Sequence, residues 1–393
     1  MKKPLYIQLP VFIAIRTVLN TLVRMAYPFL PVFGRGLGVD LYWLSLALTL
    51  RSATGLLGPF LASVGDRHGR KTGMLFGATL FTAGAGAMVI WPSYPAFVVM
   101  LILGILANFV FLPSMQAYLG DQVPYRRRGL VMALTEFGWS FSFILGMPAI
   151  GLVIDRSGWQ APFLWLTGLG FLTLIGLFWL LPRDDPSPTQ NSSLWKNLRL
   201  VFAPGATLAG VLIGASISGS NELVNLIFGV WLEDAFQVKI AALAIASMII
   251  GFSELGGESL VSLFADHLGK RRAATFGLIA NILAALALLA LGRSLNGALI
   301  GLFLFYITFE FTIVSCLPLM TEVLPAARAT FMATFIASTA LGRSLGSLVA
   351  PALYDLGRLL LSGSPLFIIA LAVTALNLIA ILALRSIHEE RQT

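Results

Sequence analysis

The sequence predicts an all-α membrane protein: twelve transmembrane helices in two six-helix bundles related by pseudo-two-fold symmetry. Three observations carry that reading. Apolar residues make up 58% of the 393-residue chain and charged residues only 11%, with a mean hydropathy of +0.88. An average soluble domain is about one-quarter charged, so lipid rather than water is the expected solvent. The apolar residues fall into twelve runs, each near the roughly 20 residues that a helix needs to cross a bilayer. Finally, the two halves of the chain repeat each other at an offset of 200 or 201 residues.

Span 1 (9–33) carries Arg16, Asn20 and Arg24 at i, i+4 and i+8, on one helical face. Lys2 and Lys3 ahead of it imitate the start of a signal peptide. Pro10 and Arg16 interrupt the apolar run and no small-residue cleavage site follows, so a retained first helix is expected. Span 2 (41–64) holds Arg51 and runs into the charged loop Asp66 to Lys71. Span 3 (73–91) carries no charge and stops at Trp91-Pro92-Ser93-Tyr94-Pro95. Span 4 (95–119) leads to Asp121 and the turn Arg126-Arg127-Arg128-Gly129. Span 5 (130–154) carries Glu136, and span 6 (162–181) carries no charge. The longest polar break, Arg183 to Arg199, holds Asp184, Asp185, prolines and serines. It reads as a linker, 183–202, between an N-terminal bundle at 1–182 and a C-terminal bundle at 203–393. Span 7 (203–232) has Glu222 and Asn225 at i, i+3, and span 8 (240–265) has Glu254 and Glu258. Span 9 (273–291) is uncharged, span 10 (297–321) holds Glu310, span 11 (329–354) holds Arg343, and span 12 (365–385) is uncharged. No loop is long enough for a separate soluble domain.

Lysine and arginine recur at Lys2, Lys3, Arg67 to Lys71, Arg126 to Arg128, Arg183 to Arg199, Lys270 to Arg272, Arg328, Arg385 and Arg391. All of these fall on one side of the predicted topology. The other side receives only Arg35, Arg156, Lys239, Arg293 and Arg358. Cytoplasmic loops carry the excess of basic residues, so both termini are expected in the cytoplasm of a multi-pass protein of the cell (inner) membrane. The formal net charge of +8 is spent on this topology, and no nucleic-acid partner is expected. The single cysteine, Cys316, sits in an apolar run and excludes an intrachain disulfide.

The repeat is specific. Asp66, Gly69 and the basic pair Arg70-Lys71 recur as Asp266, Gly269 and Lys270-Arg271. Asp121-x-Val123-Pro124-x-x-Arg127 recurs as Glu322-x-Leu324-Pro325-x-x-Arg328. Asn20-x-Leu22-Val23 recurs as Asn221-x-Leu223-Val224, and Gly146 with Asp155 recurs as Gly346 with Asp355. Duplicated halves with a substrate near their interface are a recurring transporter plan.

The loop Asp66-Arg67-His68-Gly69-Arg70-Lys71 resembles the signature loop of the major facilitator superfamily, roughly Gly-x-x-x-Asp-Arg-x-Gly-Arg-Arg, with Ala62 at the first position and Lys71 at the last. Its second copy, Asp266 to Arg271, is more degraded. The resemblance implies that Asp66 faces the start of span 11 and that Arg70 pairs with Asp121, closing the cytoplasmic side. The gate set is therefore Asp66, Gly69, Arg70, Lys71, Asp121, Asp266, Lys270 and Glu322. Two further stretches resemble drug:proton antiporters of that superfamily: Tyr27-Pro28-Phe29-Leu30-Pro31 with Gly36-Leu37-Gly38, and Gly146-Met147-Pro148-Ala149-Ile150-Gly151. Span 4 departs from them, with Met100 and Leu101 where an arginine is usual.

A charge inside a span costs several kcal/mol unless paired or hydrated, so such residues point to function. Spans 3, 6, 9 and 12 carry none, and by resemblance these are the outer helices. The substrate-binding or coupling set is Asn20, Arg24, Arg51, Glu136, Glu222, Asn225, Glu254, Glu310 and Arg343. Arginines prevail in the first half and glutamates in the second. That distribution permits ion pairs, capture of an anionic or zwitterionic substrate, and proton loading at a glutamate. Gly342-Arg343-Ser344-Leu345-Gly346 matches a serine-hydrolase pattern, but that chemistry needs a strand-turn-helix elbow with a histidine partner. The stretch lies inside a span, and His68, His267 and His388 lie in loops or the tail. No enzyme activity, catalytic residue, metal site or cofactor is expected. The expected function is a monomeric secondary active transporter, a proton-coupled exporter of a small anionic, zwitterionic or amphipathic molecule. The alternatives are a uniporter, importer or lipid flippase of the same fold, and beyond those a non-transporting membrane sensor.

Overall fold

The computed structural model describes residues 5–58, 69–182, 205–324, 328–360 and 364–387. Their helices are α1 (Leu5–Arg24), α2 (Leu30–Leu37), α3 (Leu41–Ala53), α4 (Arg70–Ile90), α5 (Tyr94–Gln122), α6 (Tyr125–Phe141), α7 (Met147–Ser157), α8 (Ala161–Leu180), α9 (Gly205–Phe236), α10 (Ile240–Leu268), α11 (Lys270–Leu291), α12 (Leu295–Val323), α13 (Arg328–Leu360) and α14 (Phe367–Leu384). Over the described residues, each predicted span overlaps helix. Among the described residues, ten helices are long and apolar enough to cross a membrane. The counterpart of span 2, α3, has 13 residues before a 3-10 turn at Thr54–Leu57, and the loop with Asp66 and Arg67 lies outside the described residues. The counterpart of span 11, α13, has 33 residues, long enough to cross, but is rich in serine, threonine and glycine and carries Arg343.

Two spans depart from a regular α-helix. Span 1 breaks into α1 and α2 across residues 25–29. Pro28 has no N–H to give and disfavours helical geometry in Tyr27, which explains the break; Pro31 sits in the first turn of α2, where proline is tolerated. Span 5 is continuous but contains one π turn, Ser142–Gly146, between α6 and α7. The Met147 N–H there reaches back five residues to the Ser142 carbonyl.

By their contacts the residues divide into two compact units, one of Met1–Gln190 with Lys239–Gly251, the other of Asn191–Val238 with Phe252–Thr393. Within the first, α4 packs on α5 and on α8, and α1 packs on α6. Within the second, α11 packs on α12 and on α14, and α9 packs on α13. These are the same pairs one repeat apart. The start of α10 belongs to the first unit because its small residues let it close on the π turn. A Cβ at Gly251 would meet the Phe143 Cβ at 3.0 Å, and one at Gly151 would meet the Ala244 Cβ at 2.9 Å.

Finer details repeat as well. Gly69 and Gly269 precede α4 and α11 with φ of +100° and +81°, backbone that a side chain would strain. A Cβ on Gly146 would collide with Thr21, and one on Gly346 would come within 2.9 Å of the Glu222 Cβ. In both units, then, a glycine lets the fifth span of the repeat close on its first.

Candidate functional site

In the first unit, the polar face of α1 is spent on α6. Arg16 donates to the Thr135 carbonyl at 2.7 Å and pairs with Glu136 Oε2 at 2.5 Å. Asn20 donates to the Gly138 carbonyl at 3.3 Å, and Arg24 to the Trp139 carbonyl at 2.9 Å and Ser142 Oγ at 3.2 Å. The Arg24 guanidinium lies 4.1 Å from the Trp139 ring centre and 3.5 Å from that of Phe143. All three α1 side chains are buried. The approach depends on Gly138, where a Cβ would sit 2.8 Å from the Arg16 Cβ. Carbonyls at the end of α6 can accept from side chains because the π turn that follows breaks the regular ladder. Gln116 adds a longer bond to Glu136 Oε1, at 3.4 Å.

Arg51 on α3 stands apart from this ladder. It donates to the Tyr27 hydroxyl, to the Val23 carbonyl at 3.4 Å and to Ser52 Oγ at 3.4 Å. Its guanidinium lies 5.0 Å from the Tyr27 ring centre.

In the second unit, Glu222 is fully buried on α9. Ser347 donates to its Oε1 at 2.7 Å, Asn225 to its Oε2 at 3.5 Å, and Arg343 Nη1 lies 3.9 Å from that oxygen. Tyr306 on α12 donates to Asn225 Oδ1 at 2.8 Å. Three predicted site residues thus share one network: Asn225 and Arg343 contact Glu222, and Tyr306, outside the predicted set, extends it. Glu254 on α10 and Glu310 on α12 are both buried. Their helices touch at Gly257, where a Cβ would be 2.7 Å from the Glu310 Cβ.

The basic loops carry matching ion pairs. Arg70 Nε lies 3.7 Å from Asp121 Oδ2, and Lys270 pairs with Glu322 at the equivalent repeat positions. Lys71 instead donates to the Phe178 and Leu181 carbonyls, both at 2.9 Å, at the C-terminal end of α8, where a cation is favoured. Asp66 and the side chain of Asp266 lie outside the described residues.

Sequence reasoning missed a neutral network in the second unit. Ser220 on α9 donates to Asn377 Oδ1 at 3.4 Å, Asn377 on α14 to Asn281 Oδ1 at 2.8 Å, and Asn281 on α11 to the Phe305 carbonyl at 3.0 Å and Thr308 Oγ1 at 3.1 Å. The available signal was a lone asparagine in each of two otherwise apolar spans. A search built on charged residues and their neighbours on the same helical face passes over it. Tyr27, Trp139, Tyr306 and Ser347 were missed for the same reason. Among the described residues no group of His, Cys, Asp and Glu could hold a metal ion.

Long apolar helices that keep arginines and glutamates inside their packing define a multi-pass membrane protein built to hold charge within the bilayer. A sequence-family model described as Major Facilitator Superfamily matches residues 13–322, and the chain belongs to that family of membrane transporters. The uncharacterized MFS-type transporter YceJ of Bacillus subtilis is 26% identical over 88% of this chain and 88% of its own length. The multidrug resistance protein MdtG of Serratia proteamaculans is 26% identical over 65% of each chain. The matched stretch covers 64% of the uncharacterized MFS-type transporter YwfA of Bacillus subtilis and 30% of the drug efflux pump JefA of Mycobacterium tuberculosis. The crystal structure of a D-xylose-proton symporter has the same fold, with a TM-score of 0.78 and 16% identity over 98% of this chain and 99% of that one.

Proposed function

We propose that the chain is a secondary active transporter that exports a small molecule in exchange for protons by alternating access. In this reading it is a monomer in the cell (inner) membrane with both termini cytoplasmic. Twelve spans form two six-helix bundles, 1–182 and 203–393, joined by the linker 183–202. The observation that carries the proposal is the burial of Glu222, Glu254 and Glu310 inside the helices of a transporter-family protein. Buried acids that meet different surroundings as a cavity opens and closes can load and release protons. Glu310 is the first choice for that step. Glu222 is held by Ser347 and Asn225 and is better placed to organise the site with Arg343 and Tyr306. Asn20, Arg24 and Glu136 are the first bundle's candidate substrate-binding or coupling residues.

The pairs Arg70–Asp121 and Lys270–Glu322 act as cytoplasmic latches beside Asp66, Gly69, Lys71 and Asp266. Exposed ion pairs are worth roughly 0–1 kcal/mol each, which suits contacts that must break in every cycle. The relative named as a multi-drug resistance efflux pump, the PmrA homolog of Lactococcus lactis, favours outward transport. The test is a substrate-library screen in proteoliposomes with and without an imposed pH gradient. Gradient-driven export is expected, and Glu310→Gln should abolish it while leaving exchange at equal pH. Movement that ignores the gradient would replace the proposal with uniport, and gradient-driven uptake would replace it with import. If glutamine at Glu310, Glu254 and Glu222 each leaves pH-driven transport intact, proton coupling is refuted.

A further inference from the structure

We infer that Arg51 receives an acidic group, so that the molecule this protein binds carries an oxyanion, a carboxylate being the simplest case. Arg51 is 4% exposed, and among the described residues no carboxylate lies within 4.0 Å of it. Its three hydrogen-bond partners, Tyr27, Val23 and Ser52, are neutral. Its Nε–H is buried without any hydrogen-bond partner. The contrast lies in the same unit, where buried Arg16 has Glu136 at 2.5 Å. A buried charge without a counter-charge is strongly destabilising and persists where something else supplies the opposite sign.

The duller reading is that Arg51 braces the break in span 1, since Val23 and Tyr27 flank the end of α1. That accounts for both terminal nitrogens of the guanidinium but neither for its charge nor for Nε, because a neutral amide could donate to the same two oxygens. What the brace does is fix the plane of the guanidinium. A fixed, planar, always-charged donor with an unspent N–H is suited to carboxylate and phosphate oxygens, which arginine binds with directional hydrogen bonds. Its immobilisation is complete before the ligand arrives, so less entropy is lost on binding. That this molecule is also transported rests on the proposed function, but its binding at Arg51 does not.

The test uses the full chain in detergent and matched probes differing in one group: benzoate against benzamide, nicotinate against nicotinamide, and succinate against succinamide. Apparent affinities come from thermal-unfolding titrations. For at least one pair the acid should bind about tenfold or more tighter than its amide. Arg51→Gln should bring that ratio close to one, and Arg51→Lys should retain part of it through charge alone. Where Arg51→Gln does not purify, Arg51→Lys and Tyr27→Phe carry the test, and a fall in the ratio is expected in each. A wild-type protein that prefers no acid over its amide overturns the inference. So does a preference unchanged by the substitutions, even if they lower the unfolding temperature. Acid binding without any transport in proteoliposomes would strike the proposed function alone, and transport of neutral molecules only would strike this inference alone.

Discussion

The Arg16–Glu136 pair allows a thermodynamic test of the first unit. Glu136→Leu leaves Arg16, whose side chain is 6% exposed, with the Thr135 carbonyl as its remaining partner at 2.7 Å. Removing one member of a fully buried pair costs about 3–5 kcal/mol. The Glu136 side chain is 39% exposed, so water can re-enter beside the stranded guanidinium and the expected loss is nearer 2 kcal/mol. Arg16→Met strands a carboxylate that water already reaches, and about 1 kcal/mol is expected. The double variant removes both charges and should lose about 1 kcal/mol rather than the 3 kcal/mol or so of additive losses, a coupling of about 2 kcal/mol. Denaturant titrations of the four purified proteins, followed by helical circular dichroism, measure that coupling. Additivity within about 0.5 kcal/mol would refute the view that this pair neutralises a buried charge.

Three further outcomes are expected. With Cys316 replaced by alanine, single cysteines at the exposed positions Pro92 and Asn296 should react with impermeant thiol reagents from outside the cell, and those at Arg127 and Ser386 should not; the opposite labelling would invert the topology. Gly346→Val would place carbon 2.8 Å from the Gly219 carbonyl and 2.9 Å from the Glu222 Cβ. It should destabilise the second unit by about 1–3 kcal/mol, and unfolding at the wild-type denaturant midpoint would contradict that close contact. Asn377→Leu strands Asn281 Oδ1 and should cost about 1–2 kcal/mol in the same assay, whereas an unchanged midpoint would show the asparagine network to be idle.

The helical spans were legible because membrane insertion writes itself into composition: a run of some 20 apolar residues has few other uses. The Arg70–Asp121 pair was legible through the resemblance of its loop, and Lys270–Glu322 is its counterpart one repeat away. The break at Tyr27 was carried by Pro28, yet the run read as one span because no charged residue lies between Met25 and Phe33. The π turn was illegible, since Ser142 to Gly146 has no residue that demands an extra unit per turn. It follows from which partners α6 and α7 must face. Asn281 and Asn377 were missed because a neutral amide barely disturbs hydropathy, although its hydrogen-bonding demand inside apolar surroundings is strong. The isolation of Arg51 was equally hidden, because whether a charge has a counter-charge is a fact of packing and not of spacing.

The π turn also sets an angular register. Each α-helical residue advances about 100° around its axis, so one residue inserted into a helix turns everything beyond it by that amount. Gly138 and Gly146 meet α1, whereas Gly151, beyond the turn, meets Ala244 at the start of α10. Span 5 therefore works as a twisted spindle, presenting one stripe to one neighbour and a rotated stripe to another. Deleting Ile144 would restore a regular helix of almost unchanged length and hydropathy, yet swing Gly151 away from α10. A cysteine pair at Gly151 and Ala244 should crosslink in the full-length chain and fail to do so in the deletion. Length changes as small as one residue at this point thus rewire which surfaces meet, where a substitution of the same residue would only resize a contact.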